Sequence, residues 1–248
     1  MHRFYLPPEQ CQGSTVILTD REAHHARDVL RMRHGETVMV LDGAGEALTC
    51  EVEAIERHKV LLQVHERQRK PRPECRTTLL QAMPKGKTME SIIQKATELG
   101  ASRIVPLLTE RVTVQLGDDE RADKAGKLQT VAIESIKQCG TAWLPQIEHP
   151  QTLHQFIARG EKFELPLVAS LQPGSSSPKK YFEAFRNENR RNPVSASAWV
   201  GPEGDFTEAE IDAILNTGAL PVTLGPFVLR ADTAATYCLS VINYECLA

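Results

Sequence analysis

The spacing of apolar residues changes rhythm after residue 76. Before it, short β-prone runs dominate, at 16–19, 37–41, 47–52 and 60–64. Asp42-Gly43-Ala44-Gly45, between the second and third runs, carries the signal of a hairpin turn. One helix interrupts this β-rich stretch of 68 residues. It is predicted from Asp20 as N-cap to about Met32, with Ala23, Ala26, Val29 and Leu30 on one face. Residues 69–76 (Arg-Lys-Pro-Arg-Pro-Glu-Cys-Arg) are charged and proline-punctuated, as a linker would be.

Beyond the linker, strands and helices alternate. Strands are predicted at 77–82, 103–107, 165–169, 195–200 and 221–224. The helix at 87–99 places Met89, Ile92, Ile93, Ala96 and Leu99 on one face, and Gly100 stops it. Further helices fall at 119–138, 179–189, 207–216 and 232–246; Thr207 and Glu210 form a capping-box pair at the start of the third. Such alternation predicts an α/β protein with a mostly parallel sheet covered on both faces.

Composition changes the picture little. The chain has 248 residues, 41% hydrophobic and 25% charged, enough for one large domain or two modest ones. No apolar run approaches the roughly 20 residues of a membrane span, and residues 1–8 lack a signal-peptide stretch. The expectation is a cytoplasmic protein with no membrane partner. Six scattered cysteines form no Cys-x-x-Cys pair, so reduced thiols and no metal site are expected. Net charge is −3, yet residues 1–76 hold twelve Lys/Arg against twelve Asp/Glu, and the rest seventeen against twenty. Arg21, His24, His25, Arg27, Arg31, Arg33 and His34 crowd one segment, and Arg67, Arg69, Lys70, Arg72 and Arg76 another. A local basic face is compatible with the acidic total.

Two segments carry candidate chemistry. Gly201-Pro202-Glu203-Gly204 follows the strand at 195–200, and the loop from Leu224 to Arg230 follows the strand at 221–224. Each lies between a strand and a helix, where an α/β protein offers backbone amides to a ligand. Alone, Gly201-x-x-Gly204 reads first as a tight turn. Phe227-Val228-Leu229 adds an apolar loop stretch suited to a planar ligand such as adenine. No Gly-x-Gly-x-x-Gly and no P-loop pattern occurs, which removes those nucleotide-binding readings. Glu90 and Gln94 fit a solvated helix face as well as a site. Cys139 is expected to pack as a small residue, and Arg111 stands just past a strand end.

Further motifs occur in order: Lys85-Gly86-Lys87-x-Met89-Glu90 running into Gln94-Lys95-Ala96-Thr97-Glu98-Leu99-Gly100, Glu110-Arg111, Glu134-x-x-x-Gln138-Cys139-Gly140, and Leu229-Arg230-Ala231-Asp232-Thr233-Ala234. With Gly-Pro-Glu-Gly, and with Arg27-x-x-Leu30-Arg31-Met32-Arg33 near the start, the chain resembles the small-subunit ribosomal RNA uridine N3-methyltransferase family. That family lies within the SPOUT superfamily of S-adenosylmethionine enzymes. The resemblance implies a PUA-like RNA-binding β-barrel over 1–70 and a SPOUT domain with a trefoil knot over 77–248. It implies an S-adenosyl-L-methionine pocket built from Ser170 and Leu171, from Val200, Gly201, Pro202, Glu203 and Gly204, and from Leu224, Gly225, Val228, Leu229, Arg230 and Thr233. It also implies a homodimer acting on 16S rRNA of the assembled or assembling small ribosomal subunit. The family pattern has glycine where this chain has Asp205, and arginine where it has Thr141.

The implied reaction is methylation of N3 of a specific uridine. That nitrogen must lose a proton, so a cation near the base oxygens would help; Arg230 is the candidate, with Glu203 or Asp232 as the base. Arg27, Arg31, Arg33, Lys85, Lys87 and Arg111 are the candidate RNA contacts. The alternative is a catalytically weak or inactive SPOUT-fold protein that binds RNA during ribosome assembly, to which Asp205 and Thr141 would point.

Overall fold

The computed structural model describes residues 1–111, 117–172 and 174–246, without the side chain of Asp118. The chain divides into two compact units, residues 1–72 with 133–144, and residues 73–132 with 145–248.

The first unit is built on a five-stranded sheet. Its strands are β1 (His2–Tyr5), β2 (Thr15–Thr19), β3 (Thr37–Leu41), β4 (Glu46–Ile55) and β5 (Lys59–Arg69), in the order β1-β3-β4-β5-β2. β1 runs parallel to β3 and the other pairs are antiparallel. Alternation works as the pattern requires. Phe4, Val16, Leu18, Val38, Val40, Leu48, Cys50, Val52, Val60 and Leu62 are fully buried in one cluster. The hairpin signal is realised, with Asp42 Oδ1 accepting from the amides of Ala44 and Glu46, both at 2.7 Å.

The helix of this unit departs from expectation. Thr19 is the N-cap, Asp20 is the first helical residue at φ 45°, and α1 (Asp20–His24) widens into a π-turn over His25–Val29. Leu30 donates to the His25 carbonyl, five residues back, at 2.9 Å. The extra residue swings Val29 out to 59% exposure and turns Ala26 and Met32 inward. The predicted apolar stripe therefore holds for Ala23 and Ala26 and for Leu30, half-buried against the same cluster, but not for Val29. β1 was absent from the expectation because four residues show too little periodicity to register.

Residues 133–144 complete this unit. Ile136 and Ala142 join Leu41 and Ala47 in a second apolar cluster. Gly140 ends the helix at φ 86°, its amide on the Ile136 carbonyl, while Arg3 donates to the carbonyls of Lys137 (3.2 Å) and Gln138 (2.9 Å). A Cβ at Gly140 would sit 3.0 Å from the Arg3 guanidinium, so glycine meets a conformational and a steric demand there. Cys139 is exposed, not packed as expected, since the helix ends with that face outward.

The second unit is a seven-stranded parallel sheet. It contains β6 (Arg76–Ala82), β7 (Arg103–Leu108), β8 (Gln146–Ile147), β9 (Gln151–Thr152), β10 (Leu165–Ala169), β11 (Ser195–Val200) and β12 (Leu220–Val222). The order is β12-β10-β11-β6-β7-β8, with β9 also on β7. Both faces of the central strands are covered, so even their polar Thr77, Thr78, Gln81 and Ser197 are buried. One face carries α2 (Thr88–Glu98) and α7 (Ala231–Cys246), which pack on each other. Against the other, Leu80, Val105, Val168 and Trp199 meet residues of α4 (Leu153–Ile157) and α6 (Glu208–Asn216), Phe156, Ile211 and Ile214 among them. The remaining helices are α3 (Asp118–Cys139), shared between the units, and α5 (Pro178–Asn189). α4 is one helix the apolar spacing did not reveal. A full Thr152–Gln155 capping box starts it, and that signal is legible in the residues.

Glu164, just before β10, accepts two hydrogen bonds from Arg191 (2.7 and 2.8 Å) and one from the Val194 amide (2.8 Å). The Arg191 guanidinium, with that amide, pulls its carboxyl down to about 2 from an ordinary 4.5. A depressed pKa means stability present above the ordinary value and lost as pH falls through the lowered one. Glu164→Gln is therefore expected to cost up to about 1 kcal/mol at neutral pH. Its deficit against the parent, followed by urea melts, shrinks between about pH 4.5 and pH 2. A deficit that stays constant across that window contradicts the assignment.

Candidate active site

A cleft opens outside the carboxyl ends of β10, β11 and β12, with about 610 Å³ of empty space including its mouth. In an open parallel sheet this is where ligands are held. Three segments and one helix start form its walls.

The first wall is Ala169, Ser170 and Leu171, at the end of β10. Ser170 is buried, its amide bonded to the Val222 carbonyl at 3.0 Å and its hydroxyl accepting from the Gln172 amide at 3.1 Å. Leu171 beside it is 61% exposed.

The second wall is the turn after β11, contributing Val200, Gly201, Pro202, Glu203 and Asp205. The Asp205 amide donates to the Pro202 carbonyl at 2.9 Å, closing a β-turn. Asp205 then adopts φ 60°, a left-handed conformation, and its own Oδ1 accepts from the Phe206 amide at 2.8 Å. The position at which the family pattern has glycine thus demands a positive φ. Aspartate meets it better than most residues because its short side chain bonds locally. Gly201 is needed for space, since a Cβ there would approach the Asp205 carboxylate to 2.8 Å.

This turn is held from outside the cleft. Arg111, past the end of β7, donates to the Gly204 carbonyl through a short hydrogen bond and to Phe206 at 3.4 Å. Glu210 is 2% exposed; one oxygen accepts from the Glu110 amide (2.8 Å), the other from the Thr207 amide (2.9 Å). Thr207 Oγ1 accepts in return from the Glu210 amide at 3.3 Å, completing the predicted capping box. Glu203 accepts from the Lys85 amide at 3.1 Å.

The third wall is the loop after β12, contributing Leu224, Gly225, Phe227, Val228 and Leu229, followed by Ala231 and Ala234 of α7. Gly225 has φ 113°, which a side chain would strain. Phe227 and Val228 are 77% and 79% exposed.

Ten of the thirteen expected ligand-binding residues thus line one cleft. Gly204, Arg230 and Thr233 do not line it. Thr233 faces a groove with Lys95, Thr236 and Tyr237. Arg230 is exposed; its carbonyl accepts from the Ala234 amide at 2.8 Å, and its side chain has no hydrogen bond or ion pair among the described residues. Of the expected catalytic groups, Glu203 alone lines the cleft. The Asp232 carboxylate accepts from the Thr233 amide at 2.9 Å and lies 3.7 Å from Lys95 Nζ. Among the expected RNA contacts, Arg27 is paired with Asp28 at 2.6 and 2.8 Å, while Arg31, Arg33, Lys85 and Lys87 are exposed. Phe227, expected as part of the apolar loop, also lines it, whereas Asp205, Ala231 and Ala234 were not expected there. The alanine pair three apart just after an apolar loop was the available signal for a helix start able to approach a ligand closely.

A parallel α/β unit with a cleft at its strand ends, preceded by a small β-rich unit, defines a class. Residues 70–243 match the RNA methyltransferase domain, and residues 18–64 match the RNA methyltransferase PUA domain. Ribosomal RNA small subunit methyltransferase E of Synechocystis is 34% identical over 98% of this chain and 77% of its own. The chain belongs to the ribosomal RNA small subunit methyltransferase E family. A Legionella pneumophila structure described as a methyltransferase with bound cofactor SAM superposes with a TM-score of 0.87 at 32% identity, covering 98% of this chain and 96% of that one. The Neisseria gonorrhoeae ribosomal RNA small subunit methyltransferase E, solved with S-adenosyl methionine, gives 0.84 at 27% identity over 98% and 97% of the two chains.

Two consequences of the turn geometry are open to measurement. Asp205→Gly is expected to keep or raise the melting temperature, whereas Asp205→Val should cost about 1–2 kcal/mol by forcing a branched residue into a left-handed conformation. Equal stability of the two variants contradicts the strained position. Arg111→Ala should raise amide exchange at Gly204–Phe206 with the global fold kept; unchanged exchange there removes its anchoring role.

Proposed function

We propose that the chain binds S-adenosyl-L-methionine in the cleft and methylates N3 of uridine 1498 in 16S rRNA of the small ribosomal subunit. The observation that carries this is the cleft itself. Its floor and loop wall are apolar and contoured by glycines, as a planar adenine needs, and the Glu203 and Asp205 carboxylates stand in the turn wall. Those carboxylates suit a ligand that bears a sulfonium and an ammonium. When bound, the cofactor supplies an electrophilic methyl group.

The remaining work falls to the protein. An in-line approach makes positioning a large part of the rate. The uracil imide must give up its N3 proton, and Glu203 is the acceptor we favour over Asp232 because it lines the cleft. Its bond from the Lys85 amide aims the carboxylate while leaving further lone pairs open. Arg230, exposed and without a carboxylate partner among the described residues, is the cation proposed to meet the charge that develops on the base oxygens. A uridine held in a Watson–Crick pair would hide N3, so the base must be unpaired or turned out.

The knotted path of the C-terminal part and a homodimer belong to the same proposal. Phe227 and Val228 support the dimer, as strongly exposed apolar side chains at the cleft that a second subunit would cover.

Calorimetry with S-adenosyl-L-methionine and a methylation assay on 16S rRNA, read by nucleoside mass spectrometry, test the reading. Binding is expected in the parent and in Arg230→Ala, with methylation lowered on the order of 100-fold or more in the variant. Full methylation by a folded Arg230→Ala protein rules out that role for Arg230. Cofactor-independent RNA binding, with no methyl-N3-uridine formed, would instead favour an assembly protein without catalysis.

A further inference from the structure

Within the first unit, Trp143 collects two cations. The guanidinium carbons of Arg69 and Arg72 lie 5.2 and 5.3 Å from its ring centroid. The indole is fixed, with Nε1 donating to the Pro71 carbonyl at 2.9 Å. Its ring also packs so closely on Gly45 that a Cβ there would come within 2.3 Å. The Gly45 amide donates to the Ala142 carbonyl at 2.9 Å, and Ala44 bridges Trp143, so the platform is tied to the β3–β4 hairpin.

Like Arg31 and Arg33, these two arginines have no carboxylate partner among the described residues, and what sets them apart is the indole they share. Arg21, Arg27 and Arg67 of the same unit are each paired, with Glu134, Asp28 and Glu46. Arg67 also donates to the Cys11 carbonyl, so it has a structural task. Arg69 and Arg72 are exposed, and neither has an ion pair or side-chain hydrogen bond among the described residues. Stacking engages the faces of a guanidinium and leaves its in-plane N–H donors open. It also lowers the entropy lost when those donors engage a ligand. Two pre-ordered, unneutralised guanidinia held on one indole offer donors that match the oxygens of phosphodiesters.

We propose that Arg69 and Arg72, ordered by Trp143, form a phosphate clamp for the RNA substrate. This deepens the proposed function and rests on RNA being the partner. It also places a backbone contact at the end of β5 and just beyond it, outside the Arg27–Arg33 segment whose first arginine is already neutralised by Asp28. The clamp reads no bases; it fixes register and orientation.

The test is fluorescence-anisotropy titration of an end-labelled 16S rRNA transcript across a salt series. Arg69→Gln/Arg72→Gln is expected to weaken binding and to make the slope of log K against log salt shallower by about 0.7 per lost phosphate, about 1.4 for the pair. Arg69→Lys/Arg72→Lys should keep the slope and lose only part of the affinity, since the charge stays and the fork goes. Trp143→Leu should weaken binding several-fold at a retained slope. Affinity and slope unchanged in the double glutamine variant would overturn the clamp. So would a loss in Trp143→Leu that the double glutamine variant does not share, because the indole would then be stacking on a base itself. No binding of the transcript by the parent protein would instead sink the RNA reading on which the clamp rests, while cofactor calorimetry still tests the cleft.

Discussion

A single buried carboxylate fixes the shape of the cleft's most irregular wall. Glu210 lies at the third position of α6 and is almost fully removed from water. An unpaired carboxylate there would be costly. Its two oxygens are instead divided between the Thr207 amide at the helix start and the Glu110 amide beyond β7. Hydrogen bonds to a charged group contribute about 1.5–3 kcal/mol each, and the helix N-terminus adds a favourable field. The division matters more than the total. It ties the chain past β7 to the start of α6, and that places Arg111 where it can hold the Gly204 and Phe206 carbonyls. The turn from Gly201 to Phe206 then has few alternatives, and Asp205 accepts a left-handed backbone within it.

The rest of the cleft follows from parallel topology. β10, β11 and β12 end side by side, so the three segments leaving them converge without needing similar sequences. Backbone groups do much of the shaping, and the side chains that count are small or apolar. Gly201 avoids a collision, Gly225 takes a conformation others resist, and Ala231 and Ala234 leave room at the start of α7. Such a site tolerates substitution wherever the backbone angle is preserved. That is why aspartate in place of a patterned glycine at 205 leaves the turn intact.

How much of this the residues disclose depends on the kind of force involved. The α/β alternation and the five long strand and helix pairs follow periodicity, and they are found within a residue or two of where it puts them. The capping boxes at Thr207 and Thr152 are equally local, although the second was passed over beside so short a helix. The π-turn after α1 was not legible, because it depends on which apolar residues the sheet can accept, and Val29 loses that competition. The Glu110 partner of Glu210 and the partners of Arg111 were also hidden. Both interactions span about a hundred residues of chain, and nothing local marks a glutamate as having two amides to satisfy.

Charge is where composition misleads most. A count of basic residues makes the 21–34 segment look like the strongest nucleic-acid face. The folded arrangement redistributes that potential. Asp28 sits between His24 and Arg27, and the Arg27 guanidinium holds its carboxyl down to about 2, so the acid stays ionised and offsets the cation. Lys137 is spent on Glu22 and Glu134 inside the unit. Cations that remain available are those the chain leaves without acids, such as Arg31, Arg33 and the stacked pair on Trp143. For a protein of net charge −3, attraction to a polyanion must come from such local surpluses, which act within about a Debye length, while the net charge is largely screened beyond it. Counting charges locates clusters, whereas pairing decides which of them a phosphate can reach.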